Sequence, residues 1–204
     1  MCIRDRCRLV CPVKAIKDSW VESGYVEEYG TVMEGLDLVV GELKPTTRRT
    51  PVMILKTLKY VKEKVRGYDY VVLDSPPGTG SGIYAIIEFS DLILAVTEPT
   101  KLGLADLKKL HKLYEEIEGK EMLVVINKTG LKGEVREELE EFLRGKGLNW
   151  ESIPYDGCVI SSYVSGTFLS EKCPDSPAAK AIEKITEHLT LDPKRDHISP
   201  NSLL

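Results

Sequence analysis

Several features of membrane, secreted and nucleic-acid-binding proteins are missing from this 204-residue sequence. It has no run of about 18 apolar residues, which a membrane-spanning helix requires, and no recognisable signal peptide. Its net charge of −4 argues against a dedicated nucleic-acid binder, because such proteins are normally basic. Its five cysteines do not form a disulfide framework. We therefore expect a cytoplasmic protein whose partners include neither a membrane nor a nucleic acid.

Apolar and helix-periodic segments alternate along the rest of the chain, which predicts an α/β fold. Strands that alternate with helices imply a doubly wound, mostly parallel sheet. An extended segment at 31–44 precedes this pattern, and its inward-facing candidates are Val32, Leu36, Leu38 and Val40. The predicted elements are helices at 51–66, 83–89, 102–117, 133–144 and 178–189, and strands at 71–74, 92–97, 123–126 and 152–153.

Residues 71–80 form the most informative segment, Val-Val-Leu-Asp-Ser-Pro-Pro-Gly-Thr-Gly. Its apolar start predicts a buried strand that ends at Asp74, where a carboxylate can hold a nucleotide's magnesium through water. The Pro-Pro-Gly-Thr-Gly that follows resembles part of a phosphate-binding P-loop. A P-loop, however, needs Lys and then Ser or Thr after its last glycine, and Ser81 and Gly82 stand there instead. The segment is therefore interpreted as a Walker B strand followed by a switch loop, with Gly78 and Gly80 in the loop.

The sequence has no match to G-x-x-x-x-G-K-[ST], the pattern of the phosphate-binding loop itself. A reason is suggested by residues 1–6, whose back-translation resembles a transposon end used as a sequencing adapter. We therefore expect these six residues to be foreign and exclude them from fold reasoning. A genuine start at Met1 is the alternative. On the adapter interpretation the gene was cut at Arg6, and the first strand and the P-loop preceded that point.

The segment that begins at Cys7 has the spacing of an iron–sulfur motif. Cys7 and Cys11, followed by Pro12, match the second half of the C-x2-C-x2-C-x3-C-P motif of bacterial ferredoxins, in which thiolates hold [4Fe–4S] clusters. Two ordinary cysteines of an intracellular helix are the alternative. Cys158 and Cys173 stand apart, and we interpret Cys173 as a loop thiol.

Two further predicted strands end in residues suited to binding a nucleotide base. Asn127, Lys128, Thr129 and Gly130 resemble the Asn-Lys-x-Asp motif that reads guanine, but Gly130 replaces the acid. Because that acid would accept hydrogen bonds from guanine, its absence favours adenine. Asn127 as a simple turn cap is the alternative. At the next strand end, a turn through Pro154 and Asp156 could fold over the base.

Taken together, these motifs resemble the MinD/ParA/Mrp class of P-loop ATPases, most closely its members with an inserted ferredoxin domain. The resemblance spans about residues 7–190 and is carried by the motifs above, by Thr97-Glu98-Pro99-Thr100, and by the spaced Ser165-Gly166. It implies a ferredoxin remnant at 7–30, an ATPase domain at 31–190 and a disordered tail at 191–204.

The resemblance also implies roles for individual residues. Asp74 would be the Walker B acid that holds Mg²⁺ through water, and Gly78 the switch glycine at the γ-phosphate. Cys7 and Cys11 would ligate iron–sulfur clusters. The residues expected to contact or position ATP are Asn127, Lys128, Pro154, Asp156 and Gly80.

The expected parent protein is an ATP-sandwiched homodimer that couples ATP hydrolysis to electron transfer or to iron–sulfur cluster handling, with a redox or cluster-accepting client. The present chain lacks the Walker A loop and is expected to be inactive alone. Two other functions stay open at this point. One is a non-enzymatic iron–sulfur carrier that is gated by nucleotide, and the other is a positioning ATPase of the ParA/MinD type.

Overall fold

The structure is a computed structural model that describes residues 7, 9–17, 21–33, 35–47, 49–132 and 135–190. The chain forms two compact units, Met1–Asp69 and Tyr70–Leu204. The predicted boundary between a ferredoxin remnant at 7–30 and an ATPase domain at 31–190 stays a prediction. The expected foreign segment at 1–6 and the expected tail at 191–204 lie outside the described residues.

The first unit is an antiparallel hairpin with a helix packed on it. Strand β1 (Gly24–Met33) pairs with β2 (Leu36–Leu43), and helix α1 (Thr50–Lys62) contacts both strands. Pro51 suits the first turn of α1, because the amide that proline lacks has no partner within the helix at that position. A short 3-10 turn, Val65–Gly67, follows.

The predicted extended segment at 31–44 is confirmed as part of this hairpin, although β1 begins earlier, at Gly24. The prediction that Leu36 and Leu38 face inward is wrong, because both side chains are exposed. A two-stranded sheet with one helix on it leaves apolar residues uncovered, and alternation alone does not reveal that. Val40 is half-buried, and the side chain of Val32 lies outside the described residues.

The second unit is a three-stranded parallel sheet with the order β3-β4-β5 and helices in the connections. Parallel strands need such crossovers. From residue 83 onward, each predicted helix and strand is present, in the predicted order. The elements are α2 (Ser81–Phe89), β3 (Leu92–Thr97), α3 (Lys101–Glu115), β4 (Glu121–Thr129), α4 (Arg136–Lys146), β5 (Asn149–Pro154), α5 (Gly157–Ser165), α6 (Leu169–Lys172) and α7 (Pro177–Thr190).

Strand β4 is the centre of the apolar core, and its alternate residues enter two different clusters. Val124 and Ile126, both fully buried, pack with apolar residues of α2, α3 and α4. Leu123 and Val125 pack with Ile185 of α7. Because successive side chains of a strand point to opposite faces, helices cover this sheet on both faces. The α/β fold and its parallel sheet are therefore confirmed.

One predicted strand is absent. Residues 71–74 are not in a strand, and Val72 is 91% exposed. The prediction rested on apolar, β-forming side chains, whereas a strand also needs a neighbour to pair with its backbone. Residues 71–74 pair with none of the described strands, since the parallel sheet consists of β3, β4 and β5 alone and the hairpin of β1 and β2.

Cys158 and Cys173 form a disulfide, so the interpretation of Cys173 as a separate loop thiol is wrong. Cys7 and Cys11 are free. None of the helices in the described part of the chain combines the length and the apolar character that crossing a bilayer requires.

Candidate functional site

The carboxyl ends of the three strands define one edge of the second unit. The strands are parallel, with Thr97 of β3 beside Ile126 of β4, and Thr129 of β4 beside Pro154 of β5. The pairing of β4 with β5 is irregular between Asn127 and Thr129. Because the three strands run parallel, their last residues and the loops that follow emerge at the same edge. In open α/β sheets this is the edge at which ligands bind.

An ion pair joins the ends of β3 and β4 at this edge. The Nζ of Lys128 donates to Oε1 of Glu98 at 2.6 Å, and both side chains are about half exposed. Lys128 has a positive φ of 58°, a conformation that non-glycine residues rarely adopt and that is concentrated at functional sites. The pair links the end of β4 to the residue that follows β3, and its exposure limits its contribution to stability.

The Asn127 side chain bonds to the next residue of its own strand. Its Oδ1 accepts a hydrogen bond from the backbone amide of Lys128 at 2.9 Å, and both residues lie within β4. A carboxamide oxygen has a second lone pair and its nitrogen carries two donors, so this bond leaves the group able to bind a base as well. The predicted contact of Asn127 with a base stays a prediction, as does its alternative role as a turn cap.

Asp156 has a structural role that its sequence position did not reveal. Its Oδ1 accepts from the amide of Cys158 at 2.9 Å and its Oδ2 from the amide of Ala178 at 3.2 Å, so the carboxylate joins the starts of α5 and α7. These amides, with the Ser176 hydroxyl, lower the pKa of Asp156 below its ordinary value. Its predicted contact with a nucleotide stays a prediction, as does that of Pro154.

The loop after residue 74 is open to solvent along most of its length. Asp74, Gly78 and Gly80 are exposed. Gly78 has a φ of 116°, which glycine alone adopts readily, and a side chain there would meet no atom within 4 Å. Gly80 precedes α2, and no side chain caps that helix. The loop therefore presents its backbone to solvent, as a phosphate-contacting switch requires.

The two predicted iron–sulfur ligands lie in the first unit. Cys7 is exposed and Cys11 is half-buried. Backbone amides lower the pKa of the Cys11 thiol, that of Ala15 most strongly, and this favours the thiolate that binds metal. A [4Fe–4S] cluster takes four such ligands, however, and within the described ranges no three His, Cys, Asp or Glu side chains are grouped to hold a metal. The role of Cys7 and Cys11 as iron–sulfur ligands stays a prediction.

Sequence reasoning did not anticipate the ion pair between Glu98 and Lys128. The signal was available, since Thr-Glu-Pro-Thr and Asn-Lys each follow a predicted strand, but the pairing depends on β3 and β4 being adjacent. Thr100 also has a role that was not predicted, because its hydroxyl accepts from the Gly103 amide at 3.0 Å and caps α3.

No protein-family model matches the chain. It is similar to an uncharacterised ATP-binding protein of Methanocaldococcus jannaschii, 32% identical over 162 residues, which cover 78% of the chain and 58% of that protein. A second ATP-binding protein of the same organism is 30% identical over 61% of the chain and 48% of its own length. An iron–sulfur cluster carrier protein of Aquifex aeolicus is 27% identical over 81% of the chain and 49% of its own length. The chain thus spans about half the length of these relatives.

Among solved structures, the chain resembles the septum site-determining protein MinD of Pyrococcus horikoshii, in complex with Mg-ADP, with a TM-score of 0.57 and 21% identity over 69% of the chain and 57% of MinD. A ParA family ATPase of Chlorobium tepidum gives a TM-score of 0.55 and 21% identity over 74% of the chain and 66% of that protein. The α/β fold of the chain, with its three-stranded parallel sheet, is therefore similar to that of MinD/ParA-type P-loop ATPases.

Proposed function

We propose that the protein is an ATP-binding ATPase that handles iron–sulfur clusters, and that this chain supplies the magnesium, switch and base-binding parts of its nucleotide site. The observation that carries the proposal is the carboxyl edge of the parallel sheet, where Glu98, Lys128 and Asn127 meet at adjacent strand ends. The likeness to ATP-binding relatives and to the fold of a MinD protein in complex with Mg-ADP supports it.

In this proposal each predicted residue has one task. Asp74 holds a magnesium-bound water, and the amide of Gly78 contacts the γ-phosphate, with Gly80 keeping the loop open beside it. Asn127 and Pro154 border the adenine. Lys128 and Asp156 position the loops that carry these groups, through their contacts with Glu98 and with the starts of α5 and α7. Magnesium, when bound, neutralises the charge that develops as water attacks the γ-phosphate.

The iron–sulfur part of the proposal is supported by the similarity to a cluster carrier and by the amide-surrounded thiol of Cys11. Cys7 and Cys11 would bind iron together with cysteines that the 204 residues do not supply. The clusters would then be passed to a client protein or used in electron transfer, and the working form would be a homodimer.

The first experiment is to sequence the genomic DNA upstream of the codon for Arg6. We expect an in-frame Lys-Gly-Gly-x-Gly-Lys-Thr loop and additional C-x2-C pairs. A true start codon at Met1, with no such loop before it, would overturn the ATPase proposal.

Variants of the resulting full-length protein test the individual roles. We expect Asp74→Asn to lower kcat at least about 100-fold, because it weakens the charge stabilisation of the transition state. The matched control is Asp91→Asn, an exposed acid just before β3, at the opposite edge of the sheet. Equal activity of the two variants would contradict the role of Asp74.

Base recognition is tested separately with Asn127→Ala. Loss of a base-reading hydrogen bond should weaken ATP binding about 10-fold and reduce the preference for ATP over GTP. Asn149→Ala is the control, since Asn149 is exposed at the start of β5, away from the carboxyl edge. An unchanged preference in Asn127→Ala would contradict the base-reading role and leave Asn127 with its bond to the Lys128 amide only.

A carrier without enzymatic turnover is the second candidate, and the similarity to a protein named as an iron–sulfur cluster carrier favours it. Phosphate release distinguishes the two. Cluster binding with ATP-dependent phosphate release supports the ATPase, whereas cluster transfer without phosphate release supports the carrier.

A further inference from the structure

The disulfide between Cys158 and Cys173 closes a segment that no proposed step uses. Cys158 is the second residue of α5, and Cys173 directly follows α6. The bond joins residues 15 positions apart, with the two Cα atoms separated by 6.3 Å. We name the enclosed segment, residues 157–173, the cross-linked arm.

Both cysteines are accessible enough to react. Each is half-buried rather than enclosed in the core, so a small thiol or a disulfide can reach the sulfurs. Accessible disulfides are the ones that exchange readily with the surrounding thiols, whereas buried structural ones resist reduction.

Contacts other than the disulfide hold the arm in place. Asp156 binds the amides of Cys158 and Ala178, so one carboxylate already connects the segments on either side of the cross-link. Within the arm, Lys172 Nζ donates to the Ser161 carbonyl at 2.6 Å and to the Ser165 hydroxyl at 2.7 Å. Reduction would therefore loosen the arm without unfolding the unit.

The arm begins at the carboxyl edge of the sheet. Strand β5 ends at Pro154, and the amide of Tyr155 donates to the Thr129 carbonyl at 2.8 Å, which ties the entry of the arm to the end of β4. A change in the mobility of the arm would therefore reach the residues at this edge first.

We propose that Cys158 and Cys173 form a reversible thiol–disulfide switch that sets the mobility of the cross-linked arm. In the reduced state, one cysteine thiolate attacks oxidised glutathione, forms a mixed disulfide and releases one glutathione. The second thiolate then attacks the protein sulfur of that mixed disulfide, forms the Cys158–Cys173 bond and releases the second glutathione. Two electrons pass from the cysteine pair to glutathione, and the two protons end on the released thiols.

The test uses the full chain with the substitutions Cys2→Ser, Cys7→Ser and Cys11→Ser, so that only this pair can exchange. The protein is equilibrated in glutathione buffers from fully reduced to fully oxidised, and its thiols are trapped and counted by mass spectrometry. We expect both forms to be populated within this range and the change to reverse on adding reductant. In the unsubstituted chain, the linked peptide that contains Cys158 and Cys173 identifies the same bond.

Hydrogen exchange measures the consequence for the arm. We expect amides of residues 157–173 to exchange at least about 10-fold faster in the reduced protein, because opening is no longer restrained by the closed loop. Amides of the buried middle of β4, residues 122–126, serve as the internal reference and should not change. The variant Cys158→Ser/Cys173→Ser should match the reduced protein at every glutathione ratio.

Three results would overturn the proposal. The pair could stay reduced in oxidised glutathione, it could stay oxidised in every buffer, or it could exchange while the arm's amides remain unaffected. None of these readouts involves a nucleotide, so failure of the switch and failure of the proposed ATPase are separate outcomes.

Discussion

The two units of the chain are stabilised in different ways. In the first unit, Leu58 is the one described apolar side chain that is buried, whereas the second unit has a core built from three strands and the helices on both faces. The first unit relies instead on close backbone approach and on polar contacts at its surface. Glu28, for example, accepts from the Tyr60 hydroxyl at 2.5 Å and pairs with Lys64.

This difference in apolar burial leads us to expect different stabilities for the two units. Apolar burial is the dominant favourable term in folding, so the second unit should dominate the cooperative stability of the chain. Surface ion pairs contribute little, so the hairpin and its helix should open more readily. The nucleotide-binding residues proposed above lie in the more stable unit, and the proposed iron–sulfur ligands in the less stable one.

The largest expected effect comes from a core truncation in the second unit. Leu139 of α4 is fully buried in the first cluster, and we expect Leu139→Ala to destabilise the unit by about 2–5 kcal/mol. The control is Leu102→Ala, because Leu102 of α3 in the same unit is 71% exposed and should lose less than about 0.5 kcal/mol. Urea unfolding followed by fluorescence of Trp150, which packs on this cluster, measures the difference, with Trp20 replaced by Phe in every protein compared. Equal losses would contradict apolar burial as the source of the stability of the second unit.

A second prediction concerns a close backbone approach at the candidate site. A Cβ on Gly103 would lie 2.3 Å from the carbonyl oxygen of Glu98, so Gly103→Ala forces the start of α3 away from the end of β3. We expect a loss of about 1–3 kcal/mol.

Gly145→Ala is the matched control for this prediction, since Gly145 lies in α4 and a Cβ there meets no atom within 4 Å. It should stabilise by up to about 1 kcal/mol through helix propensity. Midpoints of urea unfolding that shift in the same direction for both variants would refute the close approach at Gly103.

The same comparison can be made in the first unit, with a smaller expected effect on the whole protein. A Cβ on Gly24 would lie 2.2 Å from the Glu42 carbonyl oxygen and 2.4 Å from the Met53 side chain, whereas one on Gly30 would meet nothing within 4 Å. We expect Gly24→Ala to increase proteolysis of the hairpin and helix, with Trp150 fluorescence unfolding little changed. If Gly30→Ala had the same effect, general strand propensity and not the close approach would be the cause.

The smallest expected effect is a pH dependence of Asp156. Its pKa is lowered in the folded protein by the amides of Cys158 and Ala178, so the ionised carboxylate stabilises the fold. That contribution is fully present above the ordinary value of 3.8 and is lost as the pH falls through the lowered pKa. Melting temperatures of wild type and Asp156→Asn should therefore differ at neutral pH and converge in acid. Asp91→Asn should show no such convergence, and if it did, general acid destabilisation would explain the result.

Much of the second unit was predictable because buried positions recur along each helix and strand with a characteristic spacing of apolar side chains. The continuous apolar run 123–126 favoured a buried strand, and the helical periodicity of 102–117 predicted α3. The loop after residue 74 was predictable from its residue types, since a glycine at position 78 suits a backbone conformation with positive φ. The positions of the strand ends Asn127 and Pro154 at one edge followed from parallel order alone.

The sequence by itself therefore determined the alternation of strands and helices from residue 83 onward and the kinds of side chain that follow each strand. Tertiary structure decided which segments pair as strands and which side chains contact one another. Residues 71–74 have strand-forming side chains but pair with none of the described strands. Asp156 caps α5 through its first oxygen, and the fold brings the Ala178 amide at the start of α7 within reach of its second oxygen. It also decided that Glu98 pairs with Lys128 and Cys158 with Cys173. Such pairings depend on distances across the fold, which local side-chain patterns do not encode.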